Sequence, residues 1–306
     1  GNYETGSGIK PLTEYSTTDY TAILGTVLSD GSKLEFNYTN NRQDKVGYPG
    51  LTMDIVYSYT DMYTLKYQRV TPFMIFSSMN IDLFNTDIDH LMNNVVLRGN
   101  SGNGVMAWPT ASDTYGGRII GTIGSDMRAG IDYEHNRKDA EQNMVMSGSN
   151  KFLTYLWPGV ETEKLGIFFE KDLGNISYGL RYDQVELDPT KAAEDAGGMM
   201  FKTANEVYST DYDGTIVATK REYDNISGFL RFTKDIDPGE TYINLSVNER
   251  APDTTELFHA KWNASSEMMR HVGNPNLSSE RHMTIEVGYE GMLMGNHITG
   301  SVYYND

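Results

Sequence analysis

The chain has 306 residues, a formal net charge of −17, a pI of about 4.7 and no cysteine. Such a charge argues against nucleic acid as a partner and for cations or basic surfaces, while the missing thiols remove disulfide scaffolds, zinc–thiolate centres and cysteine nucleophiles. A mean hydropathy of −0.49 with 39% apolar residues and no apolar run near ~18 residues excludes a helical span, but a transmembrane β-barrel alternates too weakly to be excluded by a hydrophilic average.

The length fits two ordinary domains or one large all-β domain. The opening stretch GNYETGSGIKPLTEYSTTDY holds no basic-plus-apolar leader. From there the apolar residues recur with period two, and no helix longer than a turn or two is expected. Strands at 20–28 and 33–40 flank the turn 29–32. Met127, Ala129, Ile131 and Tyr133 alternate with Arg128, Gly130, Asp132 and Glu134 after a tight turn at 124–126. Leu165, Ile167 and Phe169 lead through KDLGN (171–175) into Tyr178, Leu180 and Tyr182, alternating with Ser177, Gly179, Arg181 and Asp183. Ile226, Gly228, Leu230 and Phe232 pass through 234–240 into Ile243, Leu245 and Val247. Met283, Ile285, Val287 and Tyr289 turn at 290–296 into Ile298, Gly300, Val302 and Tyr304, and the final GSVYYND stops inside the alternation, so the chain reads as a fragment.

The connections sort by length. Short ones fall at 29–32, 70–75, 124–126, 171–175, 234–240 and 290–296, and long polar ones at 41–58, 89–112, 138–161, 188–222 and 251–280. Short and long alternate across roughly twelve strands. A soluble sandwich has no reason to sort its loops this way; an outer-membrane barrel does, with short turns facing the periplasm and long loops facing outside. The expected fold is therefore an all-β, antiparallel transmembrane β-barrel, with tyrosines near strand ends as aromatic girdles. Arg128, Asp132, Glu134, Arg181, Asp183 and Glu286 would line a wet or plugged lumen.

Two segments carry a resemblance. NERAPDTTELF (248–258) followed by GNPNLSSERHMTIEVGYEG (273–291) resembles the late-barrel signature of TonB-dependent outer-membrane receptors, matching at Glu249, Arg250, Pro252, Glu256, Leu257, Phe258, Gly273, Asn274, Pro275 and Leu277. Segments 41–54, 127–143 and 166–187 are similar to other recurrent hairpins of that family. The resemblance implies a plugged barrel of about 22 strands, of which this chain is the middle-to-late part. The plug with its TonB box, the signal peptide and the first and last strands would lie outside it. It also implies the outer membrane of a Gram-negative bacterium, with membrane lipid, lipopolysaccharide and TonB as partners, and import of a scarce metal or metal chelate with no enzymatic reaction. The prolines and Gly273 have turn-forming roles that need no ligand.

Metal ligands are sought at the long-loop end, facing the lumen. In DIDHLMNN (87–94), His90 and Met92 lie two apart and so share a face of an extended segment. An imidazole with a thioether is a soft donor set that suits copper and is poor for calcium or magnesium. The segment also looks like one in the copper-receptor branch of the family; related segments occur in siderophore receptors. Further loop contributors are Met144, Met146, Met268, Met269 and His271, with Met199 and Met200; packing is the alternative role for methionine there. His135 and His259 sit near loop bases, and His282 and Met283 are adjacent, so they diverge in a strand. Asp211 to Gly214 has only a faint calcium-loop look. The expected function is copper import, with a ferric chelate as the alternative ligand and a passive porin or soluble binding domain as competing classes. No resident cofactor is required.

Overall fold

The computed structural model describes residues 4–99, 105–146, 149–194, 201–212, 214, 216–263 and 270–306, excepting the side chains of 145–146, 149–152 and 293. Among these residues no helix is long and apolar enough to cross a membrane. The crossings are strands: β1 (Ser16–Val27), β2 (Lys33–Val46), β3 (Asp54–Arg69), β4 (Ser78–Asn93), β5 (Val105–Ile123), β6 (Met127–Met146), β7 (Ser149–Asp172), β8 (Ile176–Pro189), β9 (Arg221–Ile236), β10 (Gly239–Arg250), β13 (Glu280–Leu293) and β14 (Asn296–Asn305). They pair in chain order as one antiparallel, twelve-stranded up-and-down sheet. Two short helices, α1 (Ala204–Asp211) and α2 (Thr254–Phe258), and a two-residue ribbon of β11 (Ala260–Lys261) with β12 (His271–Val272) occupy the long connections.

Register converts the period-two sequence into two different faces. Leu24 lies opposite Phe36, Phe36 opposite Leu65, and Leu65 opposite Leu83. Ile119, Ile131 and Ile167 align in the same way, as do Leu230, Leu245 and Ile285. Apart from the half-buried Leu230 these side chains stand in the open, and Leu180, in the same outward row, is 60% exposed. A soluble protein does not leave so long an apolar band uncovered; on a barrel it is the lipid-facing belt. Beyond the belt, towards the long loops, the outward row becomes acidic: Asp61 faces Asp87, and Asp87 faces Asp113.

On the opposite face the expected polar residues do meet. Arg181 donates two bonds to Asp132, at 2.9 and 3.0 Å, and one from Nε to Asp183 at 2.8 Å. Lys164 reaches Glu134 at 3.1 Å, and Arg128 reaches Glu170 at 3.2 Å. Bonds of this kind satisfy charges that line a wall without a dry core behind it.

Loop sorting holds, but three of the expected long loops are shorter than the sequence suggested. β2 continues to Val46 and β3 begins at Asp54; β4 continues to Asn93 and β5 begins at Val105. The third case is the largest. Most of positions 138–161 is strand: β6 runs to Met146 and β7 starts at Ser149, twenty and twenty-four residues long. That is about twice the 9–11 residues a membrane crossing needs. Above the belt lipid no longer demands an apolar outer face, and several residues of this hairpin, Ala140, Leu153, Leu156 and Val160, are buried instead, so backbone pairing persists while the apolar alternation that marks a strand is gone. Register shifts around Ala140 bend it.

The remaining long connections fold over one end of the barrel and make a dry core of their own. Val160, Val185, Leu187 and Tyr223 from the strands pack with Ala204, Val207 and Tyr208 of α1 and with Leu257, Phe258, Ala260 and Trp262. Leu257, Phe258, Val207 and Tyr208 are 0% exposed; each such apolar side chain contributes about 1.5–3 kcal/mol through burial. The Tyr208 hydroxyl donates to Phe258 O at 2.7 Å, so α1 and α2 are pinned together. Gln142 clamps the far side: its Nε2 donates to Trp262 O at 2.8 Å, and its Oε1 accepts from Trp262 N at 3.0 Å.

Candidate metal-binding site

The 248–258 and 273–277 signature segments turn out to be one piece of architecture. Asp253 caps α2, accepting from Thr255 N and Glu256 N at 2.7 and 2.8 Å, and Glu256 returns a bond to Asp253 N. This reciprocal arrangement satisfies the donors a helix start leaves open. Arg250 then grips Glu256 with both terminal nitrogens, at 2.9 and 3.0 Å, and reaches Glu280 at 2.8 Å. The second segment docks on the first. Gly273 N donates to His259 O at 2.7 Å, and Asn274 N to Glu256 O at 2.8 Å. Leu277 O accepts from Tyr223 Oη at 2.9 Å. Capping and close packing, rather than ligand contact, account for these residue types; Gly273 has no left-handed φ, contrary to its expected turn role, and is needed because a Cβ would meet the Leu257 and Glu256 backbone.

The outer end of β4 is different. Thr86 faces Thr114, His90 faces Thr110, and Met92 faces Trp108 across the β4–β5 pair. The even-numbered residues of both strands belong to the luminal face, because Arg118 lies opposite Asp132. His90 and Met92 therefore share that face at the extracellular rim, about 7 Å apart along the strand. Asn93 ends the strand directly above them, its Oδ1 accepting from Val95 N and Val96 N at 3.1 and 3.0 Å. His90 Nε2 is buried and has no hydrogen-bond partner among the described residues. A neutral imidazole with an unused ring nitrogen is the form that binds a metal.

Sequence reasoning passed over Trp108. Its indole Nε1 is likewise buried without a partner among the described residues, and Lys261 Nζ sits 5.5 Å from its ring centroid. The signal was present, since a tryptophan is unusual filler in a supposed polar loop, but its pairing with Met92 emerges only from register.

The other expected contributors are scattered. Met144 lies opposite Met106 near the tip of the β5–β6 pair. The side chain of Met146 lies outside the described residues, as do Met199, Met200, Met268 and Met269. His271 belongs to a separate cluster: its ring lies 4.7 Å from that of His259, whose Nδ1 bonds His271 O at 2.7 Å and whose ring meets Trp157 edge-on at 5.8 Å. His135 stacks on Tyr115 at 4.9 Å, and Asp211 is paired with Arg270 at 2.8 Å. Among the described residues no group of three or more His, Cys, Asp or Glu is placed to hold a metal; His90 and Met92 stand as a pair on one face of β4. Below the loop cap, a cavity of about 580 Å³ is lined by Glu134, Lys138, Lys164, Asp183 and Arg250, among others.

Comparison with known proteins bears on the whole chain. The copper transporter OprC has the same fold over 99% of this chain and 46% of its own length (TM-score 0.74, 17% identity). The hemophore receptor HasR of Serratia marcescens, solved as a double mutant with its hemophore HasA and heme, covers 100% and 48% (TM-score 0.59, 16% identity). The siderophore receptor PiuA from Acinetobacter baumannii covers 94% and 49% (TM-score 0.58, 12% identity). The chain thus spans about half the length of these structures, and at such identities they establish the fold alone. No curated protein matches it. The family model described as TonB dependent receptor-like, beta-barrel, matches residues 2–306, so the chain belongs to the TonB-dependent receptor β-barrel family.

Proposed function

We propose that the chain is part of an outer-membrane receptor of a Gram-negative bacterium that imports copper, taking it from the outside through the loop cap. One observation carries this reading. A buried, unpartnered imidazole nitrogen and a thioether occupy the same luminal face where the strand meets the extracellular loops. Leaving a polar atom buried and unpaired costs about 1–3 kcal/mol, and a soft metal ion bound between nitrogen and sulfur offsets that cost. The fold likeness to a copper transporter supports the same choice. Energy for release inward would come through TonB, contacted by a region outside this chain, and lipopolysaccharide would surround the outer acidic row.

A ferric chelate is the second reading, favoured by the 580 Å³ cavity with Lys138, Lys164 and Arg250 on its walls. Ligand pockets of about 300–1,000 Å³ accommodate molecules of that size, and the walls, which mix Lys138, Lys164 and Arg250 with Glu134, Asp183, Glu249 and Asp253, offer both charges to a polar chelate. Copper accumulation by cells expressing the full-length receptor, with and without TonB, tests the leading reading. TonB-dependent accumulation lost in His90→Ala supports it; accumulation of a ferric chelate alone supports the second.

A further inference from the structure

The end of the barrel that carries the short turns exposes apolar side chains where turns normally expose polar ones. β3 and β4 are joined by residues 70–77, VTPFMIFS. Phe73 N donates to Phe76 O at 2.8 Å and Phe76 N to Phe73 O at 3.0 Å, closing a small hairpin on Met74 and Ile75. Met74 has φ 53°, in the left-handed region that favours glycine or asparagine. It is nonetheless a methionine, and it is 85% exposed. The β13–β14 turn repeats the pattern with Met294 at φ 53° and 94% exposure. A turn that only had to reverse the chain gains nothing from a strained, solvated thioether.

The 70–77 turn also leans to a definite side. Gly121 lies in the outward row of β5, two residues from Ile119, and a Cβ there would run into the Phe76 ring. Phe76 therefore folds onto the lipid-facing surface and continues the apolar belt downwards. Ser77 fixes the root: its N donates to Thr122 O at 2.8 Å and its hydroxyl to Gly124 O at 2.6 Å. Arg69 marks the polar margin, with its guanidinium 4.9 Å from the Phe73 ring centroid and Nη1 2.8 Å from Asp30. Beyond that margin Phe73, Met74 and Ile75 point into the open. The β5–β6 turn, Gly124, Ser125 and Asp126, has no such residues.

We propose that the 70–77 turn is a lipid anchor, seating Phe73, Met74 and Ile75 in the inner leaflet of the membrane at the boundary between acyl chains and headgroups. Arg69, paired with Asp30 and 4.9 Å from the Phe73 ring, lies at that same boundary. Continuity with the outward belt through Phe76 and Gly121 selects lipid as the occupant, and an aromatic ring beside a long cationic side chain suits that boundary. The inference rests on the transmembrane reading of the barrel.

Nitroxide labels on Met74→Cys, Ser125→Cys and Leu180→Cys of the full-length receptor, in phosphatidylethanolamine–phosphatidylglycerol nanodiscs, test it by power saturation with oxygen and a water-soluble nickel chelate. The expected result is a several-fold higher oxygen-to-nickel ratio at Met74 than at Ser125, approaching that of Leu180. Nickel access at Met74 equal to that at Ser125, with Leu180 protected, overturns the anchor and keeps the barrel reading. A Met74 label immobilised and closed to both reagents places a protein there and also overturns it. Nickel access at Leu180 overturns the membrane reading itself.

Discussion

Replacing Gly273 by alanine should loosen the cap over the barrel mouth. Gly273 does not adopt a left-handed φ, so alanine is conformationally allowed there. The obstacle is space: an added Cβ would lie 2.7 Å from the Leu257 carbonyl carbon and 2.8 Å from the Glu256 and Leu257 oxygens. All three are backbone atoms, which have no rotamer to move aside. β12 would have to retreat from α2 by roughly 0.6 Å or more to restore ordinary contact. Overpacking of this kind costs about 1–3 kcal/mol. The same retreat stretches the bonds from Gly273 N to His259 O and from Asn274 N to Glu256 O, each contributing about 0.5–1.5 kcal/mol. A combined cost of about 2–4 kcal/mol corresponds to a roughly 30- to 1,000-fold larger opening constant for the cap. Hydrogen exchange of peptides spanning 253–277 in the purified receptor measures this directly. Gly31→Ala is the comparison, because Gly31 has φ 82° and open space around it; its cost is conformational and confined to the β1–β2 turn. Cap exchange in Gly273→Ala within about threefold of the parent would refute the reasoning.

Further outcomes follow from the same geometry. Phe258→Ala, at a site 0% exposed, should cost the cap about 3–5 kcal/mol and expose 254–263 to protease while the barrel stays heat-resistant. Met92→Leu keeps the volume, a swap that usually costs less than about 1.5 kcal/mol, so copper binding should vanish from a receptor of unchanged melting temperature.

How much of this was legible in the sequence depended on where a residue sits relative to the membrane. Inside the belt, lipid demands one apolar face and the lumen tolerates a polar one, so Ile131 and Asp132 could be assigned opposite directions from the text alone. Beyond the belt that contrast disappears. Nothing in EQNMVM announces a strand, yet β6 continues through it on backbone pairing. The cap core was equally hidden, since Val207, Tyr208, Leu257 and Phe258 come from two segments some fifty residues apart, each too short to show a helical period.

The site divided the same way. That His90 and Met92 share a face was readable because i, i+2 spacing fixes it once the segment is a strand. Trp108 was not, because its place opposite Met92 depends on the register of the next strand. The Gly273-Asn274-Pro275 turn was readable as structure, but its partner, the capped α2 turn gripped by Arg250, could be seen only in three dimensions.

The most direct measurement is the copper content of the full-length receptor purified from outer membrane, for the parent, His90→Ala and Met92→Ala. The account predicts near-stoichiometric copper in the parent and its loss in either variant, with all three receptors folded. Copper that is absent from the parent, or retained in both variants, while a ferric chelate binds tightly, would contradict it and leave His90 and Met92 as rim packing.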